Sequence, residues 1–312
     1  MGYHFKPGER FRDGVRRVAR EEIDHAIAEI DDPELDRHEA VHQVRKRCKK
    51  IRAVLRLVRP RMKKRYSAEN AFFRDAARKL SDLRDAQAQI ETFTLLMDEN
   101  EARRRRFAPV YDTLTAQRDA LAHEEGELET RLAAFRADMC GARDRVAEWP
   151  IRGKDFDVVG KGLAKTYRRG RNALDNAYAE GSSAAFHEWR KRVKYHWYHV
   201  RLFEYGWPPV FNALRDELKK LSDYLGDDHD LAVLRDRITA APDDYGPGET
   251  VQGFLELLDA RRKQFETEAQ PLGWRVYAAK PKCIAAAWRA CWEAAAEEAA
   301  TEEAQAADRP QT

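Results

Sequence analysis

The sequence has few cysteines and no long uncharged apolar run. A membrane-spanning helix needs about 18 or more such residues, and the opening MGYHFKPGER has no apolar centre typical of a secretion signal. The four cysteines form no CxxC pair and have no histidine at zinc-ligand spacing. We therefore predict a cytoplasmic protein with reduced thiols and no contact with a membrane.

Catalytic signatures are also missing. The sequence contains no GxxxxGK loop, no GxSxG and no HExxH. The string GKDFDVVGKG at 153–162 has the wrong glycine spacing for a phosphate loop, and no predicted strand precedes it. His196 and His199 stand three residues apart, but no third metal ligand completes the set. We predict a protein that is not an enzyme and holds neither a metal nor a cofactor.

Runs of alternating Val, Ile and Thr are missing as well, whereas Ala, Leu, Arg and Glu are abundant. This composition predicts an all-α fold. Helices are predicted at about 8–30, over a basic segment that ends near Pro60, at 67–97 with a kink near 81–84, from Pro109 to about 149, at 155–179, at 183–204, after 207–209 with a break or bend at Gly226, from about 251, and after Pro281.

Acidic residues are missing from one long central stretch, between Glu39 and Glu69, although the net charge of the chain is only +3. Apolar residues within it recur at steps of three and four, which predicts one buried helical face. A second set with the same spacing forms a basic stripe: His42, Arg45, Lys46, Lys49, Arg52 and Arg56. One helix is thus expected to carry a core face and a cationic face.

The basic stripe recurs 145 residues later, where the matching residues are His187, Arg190, Lys191, Lys194 and Arg201. The register holds without gaps from about residue 11 to 90, which indicates an internal duplication. Asp85 and Asp230 also match, and we interpret them as partners that orient arginines of neighbouring helices. The predicted halves are 8–149 and 155–300, the first of which is expected to form an antiparallel four-helix bundle, and an acidic, disordered tail follows at 301–312.

A solvated helical face is the ordinary explanation of a charge run. Such a face would mix both signs, because oppositely charged residues four apart stabilise a helix. Neither the exclusion of acids nor the repetition of the stripe follows from solubility alone. Two facing cationic helices cost repulsion that a bound polyanion would offset.

The segments HQVRKRCKKIR, HEWRKRVKYHW, LSDLRDAQ and LSDYLGDDHDLAVL resemble the CHAD family, the conserved histidine α-helical domain. The resemblance spans about residues 8–300 and implies a single domain of two pseudo-symmetric four-helix bundles around a basic central groove or pore. It also implies that inorganic polyphosphate binds there without catalysis.

The resemblance implies that His42, Arg45, Lys46, Lys49, Arg52, Arg56, His187, Arg190, Lys191, Lys194 and Arg201 line this channel, and we add Lys161, Lys165 and Arg168 of the fifth helix to the candidate site. Two positions depart from the repeat. Tyr195 stands at the position equivalent to Lys50, and Trp197 at the position equivalent to Arg52. No ExExK signature of the fused triphosphate-tunnel domain is present.

Three alternatives stay open. An RNA or single-stranded DNA binder would use Trp189, Trp197 and Tyr198 as stacking platforms, although these aromatics suit a core better. An enzyme or accessory domain acting on phosphoanhydrides would shorten polyphosphate. A scaffold would bind an acidic protein or its own acidic tail. Polyphosphate is the favoured partner, and nucleic acid is less favoured. We also predict an association of the protein with polyphosphate granules in the cytoplasm.

Overall fold

The computed structural model describes residues 2–80, 82–98, 100–122 and 125–307, without the side chains of 82–85, 121, 122, 125, 126, 303, 306 and 307. These residues form twelve α-helices and no strand, which confirms the all-α prediction. The helices are α1 (Phe11–Asp31), α2 (Arg37–Met62), α3 (Lys64–Arg78), α4 (Asp82–Met97), α5 (Glu101–Arg106), α6 (Ala108–Ala122), α7 (Glu125–Ala147), α8 (Gly160–Glu180), α9 (Ser183–Leu202), α10 (Pro208–Ala240), α11 (Gly248–Val276) and α12 (Pro281–Ala307).

Several helix boundaries differ from the predictions. The basic helix α2 continues past Pro60, and the chain reverses at Lys63, which has a positive φ of 48°. The predicted helix 67–97 is divided into α3 and α4, and the predicted long helix from Pro109 is divided into α6 and α7. Residues 123 and 124, between α6 and α7, lie outside the described residues, as does Ser81 between α3 and α4.

Of the break or bend predicted at Gly226, the break is wrong, because α10 is continuous from Pro208 to Ala240, and the bend stays a prediction. A glycine inside a helix costs only about 1 kcal/mol relative to alanine, which packing readily outweighs. Gly226 is buried, and a Cβ there would lie 3.7 Å from the guanidinium of Arg190. That distance is an ordinary van der Waals contact, so Arg190 packs beside α10 at this position.

The last two helices of the described chain are long, and the second of them extends beyond its predicted limit. Helix α11 passes through Pro271 and ends at Val276. Helix α12 runs to Ala307, into the segment predicted to be a disordered tail, since its many alanines favour helix. The rest of that predicted tail, 308–312, lies outside the described residues.

Helices of the two halves make equivalent contacts. Helix α1 packs on α2 and α7, and α8 packs on α9 and α12. Likewise α2 packs on α3 and α9 on α10, while α4 packs on α6 and α10 on α11. Contacts between the halves join α2 to both α8 and α9, and α4 to α10. Helix α2 therefore packs against helices of the first half on one side and of the second half on the other.

Two buried apolar clusters lie within the described residues, and each draws on both halves of the chain. The larger one combines α1–α3 and α7 with α8, α9, α12 and the first part of α10. The smaller one combines α4 and α6 with the second part of α10 and α11, where the rings of Phe93 and Phe254 stack at 5.5 Å. No described helix is long and apolar enough to cross a membrane.

A glycine sets the distance between α2 and α8. A Cβ placed on Gly162 would lie 1.8 Å from the backbone carbonyl oxygen of Leu57, so only glycine fits against the α2 backbone. This close approach brings the basic residues of α8 beside the end of α2.

Candidate functional site

Two basic residues of α2 belong to its buried, neutralised side. Arg47 donates hydrogen bonds to Glu22 and Glu29 of α1 at 3.0 and 2.6 Å. Lys50 donates to Glu22 at 2.8 Å, and both of these side chains are buried. A buried carboxylate shared by two cations leaves neither cation available to a ligand.

The opposite face of α2 carries cations without carboxylate partners. Among the described side chains, no carboxylate forms an ion pair with Arg45, Lys46, Lys49, Arg52 or Arg56. Neutral groups contact these cations instead, such as the Gln43 oxygen 3.3 Å from Lys46 Nζ and the Asn70 oxygen 3.3 Å from Arg52 Nε. These residues were all predicted from the helical spacing of the stripe.

Helix α9 brings a second set of cations up to this face. We define the first basic cluster as Arg45, Lys46 and Lys49 of α2 with Arg190 and Lys194 of α9. Loss of hydration, then the charges of Arg190, Arg45 and Lys194, lower the pKa of Lys49 to about 8. Burial, Arg190 and Lys46 are among the causes that lower the pKa of Lys194 to about 8. The two predicted stripes thus act on one another across the helix interface.

Helix α10 places carboxylates at the edge of the first basic cluster. The charge of Asp230 acts against the lowering of the Lys49 pKa, and that of Asp223 acts likewise on Lys194. Burial and the neighbouring Asp230 and Asp223 raise the pKa of Asp227 to about 6. The orientation of an arginine by Asp230 stays a prediction, and the side chain of Asp85 lies outside the described residues.

A histidine pair adjoins the first basic cluster. The Nδ1 atoms of His187 on α9 and His229 on α10 lie 3.0 Å apart, so one ring must donate and the other accept. Burial and nearby cations lower the pKa of His187, and they lower that of His229 to about 3. With both rings neutral, only one of the two Nε2 atoms carries a proton. The pair therefore offers one N–H donor to a ligand.

A second basic cluster lies where α2, α8 and α9 meet. We define it as Arg56, Arg59, Lys165, Arg169 and Arg192, which line a small cavity together with Thr166 and Tyr195. The charge of Arg59 is the first cause that lowers the pKa of Lys165. Loss of hydration, Arg192 and Arg56 lower the pKa of Arg169. Only Arg192 among these five has an ion pair within the described residues, with Glu188.

Two tyrosines hold Arg56 of the second basic cluster in place. It donates hydrogen bonds to the hydroxyls of Tyr66 and Tyr195 at 3.2 and 2.9 Å, and its guanidinium lies 3.8 Å from the Tyr195 ring centroid. Burial acts to raise the pKa of Tyr195, but the charges of Arg56 and Arg52 outweigh it and lower this pKa. Tyr195, which occupies the position of α9 equivalent to Lys50, thus supports the basic face of α2.

The remaining predicted site residues are not members of these clusters. Lys191 is exposed and forms an ion pair with Glu188 at 2.7 Å. Arg201 lies over the rings of Trp197 and Tyr3, at 5.0 and 5.6 Å from their centroids. The other three occupy the surface of α8 and the beginning of α2: Lys161 and Arg168 are exposed, and His42 is half-buried.

Three residues of the second basic cluster were missed by the sequence prediction. Arg59 continues the α2 stripe three residues after Arg56, and Arg169 follows Lys165 by four, so helical spacing could have found both. Arg192 lies off the α9 stripe, and only the packing of α8 against α2 and α9 brings it to the cavity. The sequence held no signal for it.

The two histidines considered as weak metal ligands are structural. His199 is buried, and its Nε2 donates to the carbonyl oxygen of Ala53 at 2.9 Å. His196 is buried against Trp288, with ring centroids 5.7 Å apart. In the part of the chain that the structure describes, no group of three or more His, Cys, Asp or Glu side chains could hold a metal ion.

The described residues thus form an all-helical protein in which basic side chains of α2, α8 and α9 lie near one another. The chain belongs to the CHAD domain family, because the model of that family matches residues 17–239. The matched segment contains α2, α8, α9 and nearly all of α10, and with them both basic clusters. A comparison with curated proteins gave no match.

Proposed function

We propose that this protein binds inorganic polyphosphate, without catalysis, along the two basic clusters. The observation that carries the proposal is the convergence of the mutually repelling cations of the first basic cluster, which form no ion pair among the described side chains. Such repulsion persists in a fold only if something offsets it, and a polyanion would do so. Membership of the CHAD domain family supports the same conclusion.

Polyphosphate suits this surface better than an isolated phosphate does. Its charge repeats along the chain, so consecutive units would contact the first basic cluster, then Arg52, and then the second basic cluster. Arginines offer paired hydrogen bonds to phosphate oxygens, and each charge-assisted contact contributes roughly 1.5–3 kcal/mol where water is excluded. Binding at both clusters would therefore favour long chains over short ones.

The proposed site lies in a basic groove between two pseudo-symmetric bundles that arose by duplication. The equivalent contacts of α1, α2 and α7 with those of α8, α9 and α12 support this arrangement. The shared apolar clusters join the halves firmly, which would keep the groove walls at a fixed separation. We further propose a location in the cytoplasm, on polyphosphate granules.

The positions of the aromatic residues make RNA and single-stranded DNA less favoured partners. Trp189 and Tyr198 are buried in the larger apolar cluster and offer no stacking surface. Trp197 is partly exposed, but Lys194 and Arg201 lie over its ring. Recognition by charge alone therefore fits the surface better than base stacking does.

Charge reversal tests the proposal directly. We expect the Arg45→Glu, Lys49→Glu, Arg190→Glu, Lys194→Glu variant to bind a long polyphosphate at least about 100-fold more weakly. A matched control reverses the charge of four exposed arginines away from the site, Arg103 to Arg106 in α5, and should change the affinity far less. Circular dichroism of both variants checks that they fold.

Two outcomes would contradict the proposal. Equal losses in the site variant and in the α5 control would show that only net charge matters. Efficient displacement of polyphosphate by RNA at equal phosphate concentration would favour the nucleic-acid alternative. Chain-length analysis of polyphosphate after incubation with the protein and Mg²⁺ tests the non-catalytic part, since shortened chains would indicate an enzyme.

A further inference from the structure

A further cavity adjoins the second basic cluster, in the groove between α8 and α9. Its volume is about 410 Å³, which is in the range of small-molecule sites. Arg169 and Arg192 line both this cavity and the small cavity of the second basic cluster, so the two spaces share a wall. We call it the α8–α9 groove, and its other lining residues are Asn172, Ala173, Asn176, Glu180, Ala184, Ala185 and Glu188.

The α8–α9 groove has a basic end and a polar end. Along α8 its lining residues run from Arg169 to Glu180, a distance of about 16 Å along the helix axis. Helix α9 returns after the turn at Gly181, so Ala184 lies near the Glu180 end and Arg192 near the Arg169 end. Charge and hydrogen-bonding groups are thus separated along the groove.

The basic end keeps an excess of positive charge. Arg169 forms no ion pair and no side-chain hydrogen bond within the part of the chain that the structure describes. Glu188 is the carboxylate at this end, and two cations pair with it, Lys191 at 2.7 Å and Arg192. The carboxylate is therefore neutralised, and an anionic ligand would meet the guanidinium groups.

Two amides in the middle of the groove are available to a ligand. Asn172 and Asn176 are exposed, lie one turn apart on α8, and form no side-chain hydrogen bond with another described group. A carboxamide can donate to a ring nitrogen of a nucleobase and accept from its exocyclic amine at the same time. The small side chains of Ala173, Ala184 and Ala185 leave space for a planar ring beside these amides.

We propose that the α8–α9 groove binds a nucleoside polyphosphate. Its phosphates contact the two shared arginines, and its base forms hydrogen bonds with Asn172 and Asn176. Glu180, at the far end, accepts a hydrogen bond from an N–H or O–H group of the nucleoside. An inorganic phosphate chain would leave the amides unused, whereas an uncharged nucleoside would leave the arginines unused.

The inference rests on the proposed function in one respect. Polyphosphate on the second basic cluster would contact the same two arginines, so the nucleotide and a long polyphosphate should compete. The protein would then bind polyphosphate less tightly when the nucleotide is abundant.

Isothermal titration calorimetry with ATP and with inorganic triphosphate, both without Mg²⁺, tests the inference. Inorganic triphosphate carries at least as much charge as ATP, so charge alone would favour it. We expect ATP to bind at least about tenfold more tightly, because its base adds hydrogen bonds. The Asn172→Ala, Asn176→Ala variant should lose this preference and bind inorganic triphosphate as the original protein does.

Filling the groove provides an independent test. Ala184→Phe places a ring in the groove without changing its charge and should weaken ATP binding at least about tenfold. Ala179→Phe is the matched control, because Ala179 is an exposed residue of α8 that does not line the groove, and ATP binding should be unchanged. Circular dichroism checks that the variants fold.

ATP that binds no more tightly than inorganic triphosphate, or an unchanged preference in the double asparagine variant, would overturn the inference. So would a long polyphosphate that binds tightly without displacing ATP, because the two ligands would then not share the arginines. A clear preference for ATP, with no binding of long polyphosphate, would contradict the proposed function alone.

Discussion

Single residues decide how much positive charge this surface carries at a given pH. Arginines stay charged throughout the physiological range, whereas Lys49 and Lys194, each with a pKa of about 8, lose their protons just above it. A bound polyanion favours the protonated lysines and raises both pKa values. Binding and proton uptake are therefore linked at these two positions.

This linkage predicts that the affinity for polyphosphate falls as the pH rises from 7 to 9. Below pH 8 both lysines are mostly charged before polyphosphate binds. Above pH 8 binding requires that they first take up protons, so each lysine lowers the affinity about tenfold by pH 9. Isothermal titration calorimetry across this range measures the effect. The Lys49→Arg, Lys194→Arg variant keeps its charge and should show a flat profile. A profile as steep as that of the original protein would contradict the prediction.

At the scale of elements, the contact between α2 and α8 positions the second basic cluster. Because Gly162 has no side chain, α8 packs directly against the backbone of α2. Lys165 and Arg169 follow Gly162 by one and two turns of α8, which sets them beside Arg56 and Arg59. A wider spacing between these helices would separate the cations of this cluster.

We expect Gly162→Ala to lower the free energy of unfolding by about 1–3 kcal/mol or more, because the added methyl would overlap the Leu57 carbonyl. Gly141→Ala in α7 is the matched control. A Cβ there meets only the end of Arg145 at 3.6 Å, so the higher helix propensity of alanine should stabilise by about 0.5–1 kcal/mol. Urea unfolding measures both variants, and similar effects of the two would refute the assigned role of Gly162.

Helical spacing explains which parts of the site were predictable. The stripe of Arg45, Lys49, Arg52 and Arg56 follows from the period of the helix, and so does its separation from the buried side of α2. The pairing of His187 with a histidine on α10 depends on tertiary packing, which local spacing does not reveal. The all-α class was predictable from composition. The break predicted at Gly226 failed because packing outweighs a weak local preference.

For the molecule as a whole, the sharing of both apolar clusters between the halves matters most. Residues of α4 such as Ile90 and Phe93 belong to the same buried cluster as Leu234 of α10 and Phe254 of α11. Neither half can bury its apolar side chains alone. The two predicted halves are thus not expected to fold independently of one another.

Separately produced fragments 1–152 and 153–312 should therefore lack the cooperative thermal transition of the intact chain. Each would expose apolar surface that its partner normally covers. Mixing the fragments should restore helical content and the transition, as measured by circular dichroism. A fragment that unfolds cooperatively on its own, near the melting temperature of the intact chain, would contradict this expectation.

Helix α10 has 33 residues, which gives it a length of about 50 Å, and it contributes to both apolar clusters. An uninterrupted rod of this kind has no hinge at which one end could move without the other. A rotation of a few degrees about its middle would displace the two ends in opposite directions by about 2 Å. A displacement introduced at Asp227 and His229, beside the basic surface, would therefore move both ends of α10.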